Sequence, residues 1–206
     1  MKARFPFLTL LSFLFLFSAC KKDRNSNEVY GTVTEFGTNK PLAGVTVSFR
    51  RCVDVSSDCE PSVFTETDAS GHYRLSFPND EGGILRAGPE TPPGYFSVNP
   101  APVSLVGENE KNFVLDPHAY LHLRVKNVAP AEELDRIDLG ASVSSTPGSP
   151  ISLSGSNIDT DYFLLKRGNK FQNLVWSSYS YGELQIRGRD TVIISAHDTL
   201  YYEINY

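Results

Sequence analysis

Hydrophobic and polar residues alternate along much of the chain, with the period of two that is typical of strands with one buried face. Clear examples are residues 29–33, 45–49 and 72–77, in which valine, glycine, tyrosine, leucine or phenylalanine occupies every second position. Glycine, proline, asparagine and aspartate separate such segments and mark turns. Only residues 131–137 have a pattern that favours a helix. The pattern therefore predicts an all-β protein.

A second series of strands follows Asp116-Pro117, a pair that interrupts the alternation. The candidate strands of this part are 119–125, 137–143, 161–165, 173–179, 183–187, 191–195 and 199–206. Short strands at regular intervals indicate sheets packed face to face. We therefore expect two consecutive β-sandwich domains, residues 28–117 and residues 118–206.

The first 19 residues have the pattern of an export signal, in which Lys2 and Arg4 precede an apolar run that is too short to span a bilayer. The following Phe17-Ser18-Ala19-Cys20 resembles the bacterial lipobox, although phenylalanine replaces the usual leucine. This resemblance implies that residues 1–19 are removed and that Cys20 carries acyl chains, palmitate among them, which anchor the protein in a membrane. An ordinary secretory signal with an incidental cysteine is the alternative.

Residues 20–27 are polar and lack hydrophobic periodicity, so we expect a solvated tether. Its Lys-Asp sequence is similar to signals that send lipoproteins to the outer face of the outer membrane. We expect an outer-membrane lipoprotein, with the cell surface favoured over the periplasmic face. The periplasmic orientation stays open.

Charge and cysteine content narrow the possible partners and the compartment. The chain has 19 basic and 24 acidic residues, and two of the basic residues lie within positions 1–19, so the remaining chain has a net charge of −7. An acidic chain without a polybasic cluster argues against nucleic acid as a partner. With Cys20 lipidated, Cys52 and Cys59 are left as a possible disulfide pair in an oxidising compartment, within an exposed connection at 50–63. Two free thiols are the alternative.

The first domain resembles the carboxypeptidase regulatory-like, or transthyretin-like, domain in three motifs and a closing strand at 106–115. The motif residues are Gly31, Val33, Pro41, Leu42, Gly44, Val45, Val47, Thr67, Asp68, Gly71, Tyr73 and Leu75. Asp68 is placed to bond the backbone of a hairpin turn, and Gly71 supplies a positive φ there. The resemblance implies a non-catalytic, seven-stranded prealbumin-like sandwich. Insertions at 52–59 and 79–102 depart from the family pattern.

No sequence motif for hydrolysis, phosphate binding or zinc binding is present. His118 and His122 would lie about 13 Å apart on one strand, which is too far to share a metal ion. Asp68 and its neighbours Ser70 and His72 are assigned to the turn, and His197-Asp198 has no adjacent serine. We therefore expect no catalytic residue, no metal and no cofactor.

Aromatic residues in the second domain are the best candidates for ligand binding, because their faces bury large areas at low entropic cost. Trp176, Tyr179, Tyr181 and Tyr201 form the candidate set. The alternative is that these aromatic side chains fill the core or pair across strands. Asp190-Thr191-Val192 and Asp198-Thr199-Leu200 resemble a bacterial O-glycosylation acceptor, and both are also plausible strand starts.

The sequence predicts a non-catalytic, lipid-anchored envelope protein that acts as a binding or scaffolding module for extracellular glycan or protein. One alternative is a pilus-like or adhesin subunit that exchanges a terminal strand, for which the alternating residues 200–206 are suited. The other alternative is a hydrolase whose site is assembled from residues distant in sequence.

Overall fold

A computed structural model describes residues 26–52, 59–78, 83–105, 108–128, 131–140 and 150–206. Within these ranges the chain forms strands and turns and no helix, which confirms the prediction of an all-β fold. The strands are β1 (Ser26–Glu35), β2 (Thr46–Cys52), β3 (Glu60–Glu66), β4 (His72–Pro78), β5 (Ile84–Pro89), β6 (Ala101–Pro102), β7 (Asn109–Glu110), β8 (Phe113–Leu115), β9 (His118–Lys126), β10 (Arg136–Leu139), β11 (Ile151–Ser154), β12 (Asp159–Arg167), β13 (Phe171–Ser180), β14 (Glu183–Ile193) and β15 (Thr199–Asn205).

The first eight strands form a β-sandwich of two sheets. In one sheet β1 pairs antiparallel with β4 and parallel with both β7 and β8. The other sheet has the order β3-β2-β5-β6. The inward-facing side chains form one core, in which the rings of Phe49 and Phe77 stack with centroids 4.3 Å apart. The alternating pattern at 29–33, 45–49 and 72–77 therefore marks the buried faces of β1, β2 and β4.

The turn before β4 has the structure expected from its sequence. Asp68 Oδ1 accepts hydrogen bonds from the backbone N–H groups of Ser70 and His72, at 2.8 and 2.9 Å. Gly71 has a φ of 73°, and its N–H donates to the carbonyl of Asp68. These hydrogen bonds lower the pKa of Asp68. The carboxylate is thus used by the turn itself.

Gly31, at the centre of β1, allows another segment of backbone to approach unusually closely. A Cβ atom at this position would lie 2.0 Å from the carbonyl oxygen of Lys111, in the segment between β7 and β8. The same oxygen accepts a 2.7 Å hydrogen bond from the hydroxyl of Tyr73, and the Lys111 N–H donates to the Tyr30 carbonyl. The glycine of the first motif is therefore required for packing space.

The predicted disulfide is confirmed: Cys52 and Cys59 are bonded, with their Cα atoms 4.4 Å apart. Cys52 is the last residue of β2 and is almost fully buried, and Cys59 immediately precedes β3. The predicted connection at 50–63 is therefore too long, because β2 continues to Cys52 and β3 begins at Glu60. Residues 53–58 lie outside the described part of the chain.

Replacing both cysteines by alanine should lower the free energy of unfolding by about 2 to 3 kcal/mol, because the closed loop restricts the unfolded chain. Urea unfolding of the Cys52→Ala/Cys59→Ala variant measures this difference. Wild-type protein unfolded with reductant present should show a comparable loss. Equal stability of the oxidised wild type and the double variant would contradict the prediction.

The second domain is also a sandwich of two sheets. One sheet has the order β11-β10-β13-β14, and the other has the order β12-β9-β15. Strand β9 contributes every second side chain from Ala119 to Val125 to a core that is fully screened from solvent. The last strand, β15, lies at a sheet edge and pairs in parallel with β9 from Thr199 to Asn205.

The structure corrects several boundaries in the sequence analysis. Residues 131–135 form a turn and not the start of a helix, because Asp135 accepts a hydrogen bond from the N–H of Glu132 and holds the chain before β10. Strands β5 and β11 lie in segments whose glycine and proline content obscured any strand pattern. The two candidates 183–187 and 191–195 are one strand, β14. The predicted closing strand at 106–115 is divided into β7 and β8.

The two sandwiches meet without an intervening linker. Only Asp116 and Pro117 separate β8 from β9, and backbone hydrogen bonds flank them: Phe96 donates to Asp116, and Gly168 donates to Pro117. Asp116 also forms ion pairs with Arg167 and with Lys170, the latter at 2.7 Å. Burial alone would raise the pKa of Asp116, but these two cations outweigh it and lower the pKa.

A buried carboxylate lies at the centre of this junction. Glu35, at the end of β1, is 3% exposed and accepts hydrogen bonds from the hydroxyls of Tyr95 and Thr38, each at 2.8 Å. His197 of the second domain lies 3.1 Å away through its Nε2. Burial alone would raise the pKa of Glu35, but the hydrogen bonds from Tyr95, Thr38 and His197 outweigh it and lower the pKa. A second polar bridge joins the Asn169 side chain to the Phe36 carbonyl at 2.8 Å.

Candidate functional site

The four aromatic residues proposed for ligand binding occupy three different places. Trp176 is half-buried, packs against the core and covers Gly188, where a Cβ atom would lie 1.9 Å from the indole ring. Tyr179 and Tyr181 lie close together at the end of the β13–β14 hairpin. Tyr201 lies on the outer face of the other sheet, in contact with His122. Only Tyr179 and Tyr181 therefore belong to one surface.

That surface is at the end of the second domain farthest from the junction. Strand β9 begins at the junction with His118 and ends at Lys126, about 26 Å farther along at 3.3 Å per residue. We call the described segments at this end the distal tip; they are 127–128, 131–135, 155–158, 180–183 and Tyr206. Backbone bonds from Tyr206 to Lys126 and from Val128 to Tyr206 hold the last residue in place.

The hairpin turn presents Tyr181 to solvent. Tyr181 and Gly182 both have positive φ, 50° and 81°, as a two-residue primed turn requires. The pairing of β13 with β14 shifts register between Ser178 and Tyr179, immediately before this turn. Tyr181 is consequently 67% exposed. Glycine after an exposed aromatic residue was the sequence signal for this turn.

A shallow pocket of about 340 Å³ opens beside the turn. Tyr179, Tyr181 and Leu134 supply its apolar walls, and Leu134 is 62% exposed. The guanidinium of Arg136 lies over the Tyr179 ring at 4.4 Å and pairs with Asp138 at 3.0 Å. Exposed apolar side chains around a concavity are typical of a surface that binds another molecule.

On the other side of Tyr179 lies a second, more polar pocket of about 270 Å³. Asp135, Ser178, Ser180 and Tyr206 contribute oxygen atoms to its lining. Asp135 was missed by the sequence analysis, which placed it in a helix. The two pockets together give the distal tip a concave surface with both apolar and polar walls.

An exposed aromatic row crosses the outer face of the β12-β9-β15 sheet. His122 stacks on Phe163 with ring centroids 4.2 Å apart and meets Tyr201 edge-on at 5.0 Å. Asp161 Oδ1 lies 2.7 Å from Nε2 of the His122 ring, within hydrogen-bonding distance. Tyr120 and Leu165, which pair across β9 and β12, extend the row toward the junction.

The first domain has a wider groove, of about 490 Å³, on the outer face of the sheet that contains β1. Its polar groups largely satisfy one another. Tyr30 donates to Glu108 at 3.0 Å, Arg74 pairs with Glu28 at 2.6 Å, and Asn112 accepts from the Thr32 hydroxyl at 2.9 Å. The groove therefore offers fewer free hydrogen-bonding groups than its size implies.

His118 and His197, which the sequence analysis considered for metal binding and catalysis, both contact residues of the first domain. His118 meets the ring of Phe96 edge-on at 4.6 Å, and His197 contacts both Glu35 and the ring of Tyr95. Asp190 accepts a 2.8 Å hydrogen bond from Tyr202, and Thr191 donates to Asn173 at 3.0 Å.

Across the described ranges, no cluster of three His, Cys, Asp or Glu side chains could hold a metal ion. The same residues contain no helix that could cross a membrane.

Comparison with known proteins gives no family assignment. No family model and no curated protein matches the chain. Among solved structures, it is similar to the shaft pilin SpaA of Lactobacillus rhamnosus GG, with a TM-score of 0.37 and 11% identity over 87% of this chain and 96% of the pilin. The minor pilin GBS52 of Streptococcus agalactiae gives 0.36 and 12%, over 87% of this chain and 94% of that one.

The TIE protein of Bacillus anthracis is similar over 88% of this chain, with a TM-score of 0.38 and 10% identity. The chain spans only 34% of that protein. At TM-scores below 0.5, these similarities establish neither a family nor a function for this chain.

Proposed function

We propose that this protein is a non-catalytic, lipid-anchored envelope protein of adhesin type, which binds an extracellular glycan or protein with its distal tip. The observation that carries the proposal is the position of the distal tip relative to the start of β1. Strand β1 starts at Ser26, six residues after Cys20, and runs to the junction, whereas β9 runs from the junction to the tip. The junction fixes the two domains, so the tip is held away from the anchor.

Lipidation of Cys20 and outer-membrane location are part of the proposal. Residues 1–25 lie outside the described part of the chain, so support comes from the lipobox-like sequence and the polar tether. We further propose, from the motif residues around Gly31 and Asp68, that the first domain is a carboxypeptidase regulatory-like spacer. Its groove, with polar groups already paired, agrees with a supporting role.

The Cys20→Ser variant should lose its acyl chains and leave the membrane fraction. Detergent partitioning and mass spectrometry of the mature N-terminus measure both effects. In wild-type cells, protease added to intact cells should remove the protein if the tip faces outward. Membrane-bound protein with an unmodified Cys20 would refute the anchor, and full protection from protease would place the tip in the periplasm.

Binding by the tip should depend on its exposed apolar side chains. The Tyr181→Ser/Leu134→Ser variant should bind its target at least about tenfold more weakly, because such residues carry most of the energy of a contact. Targets are first identified on glycan and protein arrays with wild-type protein, and affinities are then measured by surface plasmon resonance.

A matched control exists on the outer face of the β12-β9-β15 sheet. The Tyr120→Ser/Leu165→Ser variant removes residues that are also partly exposed, 44% and 43%. Its affinity should equal that of the wild type. The opposite result, a loss only in this control, would place the binding site on the aromatic row that includes His122.

A second candidate function is assembly by strand exchange, and the position of β15 favours it. This strand lies at a sheet edge and inserts Leu200, Tyr202 and Ile204 toward the core. A neighbouring copy could supply the same strand to β9. Ladders of stable multimers that disappear when residues 199–206 are deleted would favour this function over a monomeric adhesin.

A further inference from the structure

The polar pocket at the distal tip contains a carboxylate with one oxygen atom free. Asp135 is 7% exposed, and its Oδ2 accepts hydrogen bonds from the Glu132 N–H at 2.9 Å and from the Asn127 amide at 3.2 Å. Its Oδ1 is buried and has no hydrogen-bond partner. Since buried polar atoms are nearly always paired, the unpaired oxygen of this pocket-lining carboxylate is suited to accept a hydrogen bond from a bound group.

Asp135 is ionised at neutral pH. The hydrogen bond from the Glu132 N–H is the main cause that lowers its pKa, and the Ser180 and Asn127 side chains add to the effect. Ser180 is near enough to lower this pKa, while Oδ1 has no partner in hydrogen-bonding geometry. The free atom is a charged acceptor.

A second free polar atom lies in the same pocket. The hydroxyl oxygen of Tyr206 is buried and has no hydrogen-bond partner. Burial, followed by the charge of Asp135, raises the pKa of Tyr206, so this hydroxyl stays protonated and can also accept a hydrogen bond. Two residues that line the pocket, Asp135 and Tyr206, thus each hold a buried acceptor without a hydrogen-bond partner, and Ser178 and Ser180 line the same pocket.

The charge around the pocket favours a cation. Glu132, Glu133, Asp135 and Glu183 are the carboxylates of the described tip, and Arg136 beside them is paired with Asp138. Lys126, at the end of β9, acts on Asp159 and Glu203 of the neighbouring strands. A neutral donor could fill the free lone pair, but a cation also compensates the local negative charge.

The form of the free acceptors selects an ammonium group. A guanidinium binds best to both oxygens of a carboxylate at once, and Oδ2 of Asp135 is already occupied. An ammonium group donates up to three bonds from one atom and suits a pocket of about 270 Å³. The adjoining apolar wall of Tyr179 and Tyr181 can cover the methylene groups of a lysine.

We propose that the pocket between Asp135 and Tyr206 binds the side-chain ammonium group of a lysine presented by a partner protein. This inference rests on the proposed function, because it names the chemistry that the distal tip recognises. It gives the tip a protein partner and makes Asp135 the residue that determines specificity.

Ligand-observed saturation-transfer NMR on the full-length protein in detergent micelles tests the pocket without knowledge of the partner. The probe is Nα-acetyl-lysine methylamide, and the corresponding norleucine derivative has the same stem without the charge. The lysine probe should bind and the norleucine probe should not. Asp135→Asn should weaken lysine binding at least about tenfold, and Tyr206→Phe should weaken it severalfold.

Two further probes test the class of ligand. The matching arginine derivative should bind more weakly than lysine, and glucosamine should not compete. Preferential binding of glucosamine would assign the pocket to an amino sugar and overturn the protein partner. No binding of the lysine probe, or equal binding to wild type and Asp135→Asn, would overturn the pocket altogether.

The thermal unfolding midpoint of each variant shows whether it is folded. If Asp135→Asn does not fold, Tyr206→Phe still tests the pocket. The tip variant Tyr181→Ser/Leu134→Ser measures target binding by the surface as a whole. If that variant bound the target as well as the wild type, the proposed function would be refuted. If it lost target binding but the lysine probe did not bind the wild type, only the ammonium pocket would be refuted.

Discussion

The Gly31→Ala variant should lose at least about 3 kcal/mol of stability, which is the upper range for overpacking of a well-ordered interior. A methyl group at this position would lie 2.0 Å from the Lys111 carbonyl oxygen and 2.6 Å from its carbon. Both are backbone atoms, and hydrogen bonds from Tyr73 and to Tyr30 fix that segment. The strand therefore has to move away from β7 and β8. Urea unfolding measures the loss.

Gly44→Ala provides the control. Gly44 has a φ of 68°, and a Cβ there would meet nothing within 4 Å, so this variant is affected by backbone strain alone, about 1 kcal/mol. If Gly31→Ala were no more destabilising than Gly44→Ala, the close approach of the Lys111 backbone would be wrong.

The Glu35→Ala variant should lose about 2 to 4 kcal/mol, because it removes the buried, charged acceptor of a hydrogen-bond network. The hydroxyls of Tyr95 and Thr38 and the ring of His197 would lose their common acceptor. Since His197 belongs to the second domain, the domains should also unfold in two separate steps and not together. Calorimetry resolves the two transitions, and Glu66→Ala, which alters an exposed carboxylate of the same domain, should stay within about 0.5 kcal/mol of wild type.

The contribution of Glu35 should also depend on pH. Its pKa is lowered from the ordinary value of 4.5, so the folded state favours the ionised form. The stabilisation is then fully present above pH 4.5 and is lost as the pH falls through the lowered pKa of the folded state. The stability difference between wild type and Glu35→Ala should shrink below pH 4.5. A difference that stays constant or grows in acid would contradict the ionised network.

Local sequence patterns predicted the parts of the fold that local forces determine. Alternation identified the buried faces of β1, β2 and β4, and the turn chemistry of Asp68 and Gly71 identified the hairpin before β4. Strands β5 and β11 were missed because their pairing with neighbours outweighs an unfavourable composition. The disulfide was predictable because its two cysteines are near each other in the chain.

Contacts between distant residues explain why most of the candidate site was not predictable. Tyr179 and Tyr181 were named from their aromatic character, but they lie near Asp135 only because β10 pairs with β13. Glu35 and His197 are separated by 162 positions, and nothing in either local sequence indicates the other. Asp135 was misassigned because an acidic segment that precedes a strand resembles the first turn of a helix.

The parallel pairing of β1 with β8 has a mechanical consequence for a protein held at one end. In the proposed function, tension between the membrane anchor and the bound tip pulls the start of β1 one way and, through β9, the end of β8 the other way. The hydrogen bonds between these strands lie across the direction of pull, so they are loaded in shear and have to break together. The first sandwich can thus transmit force between the proposed tip and the proposed anchor without opening strand by strand.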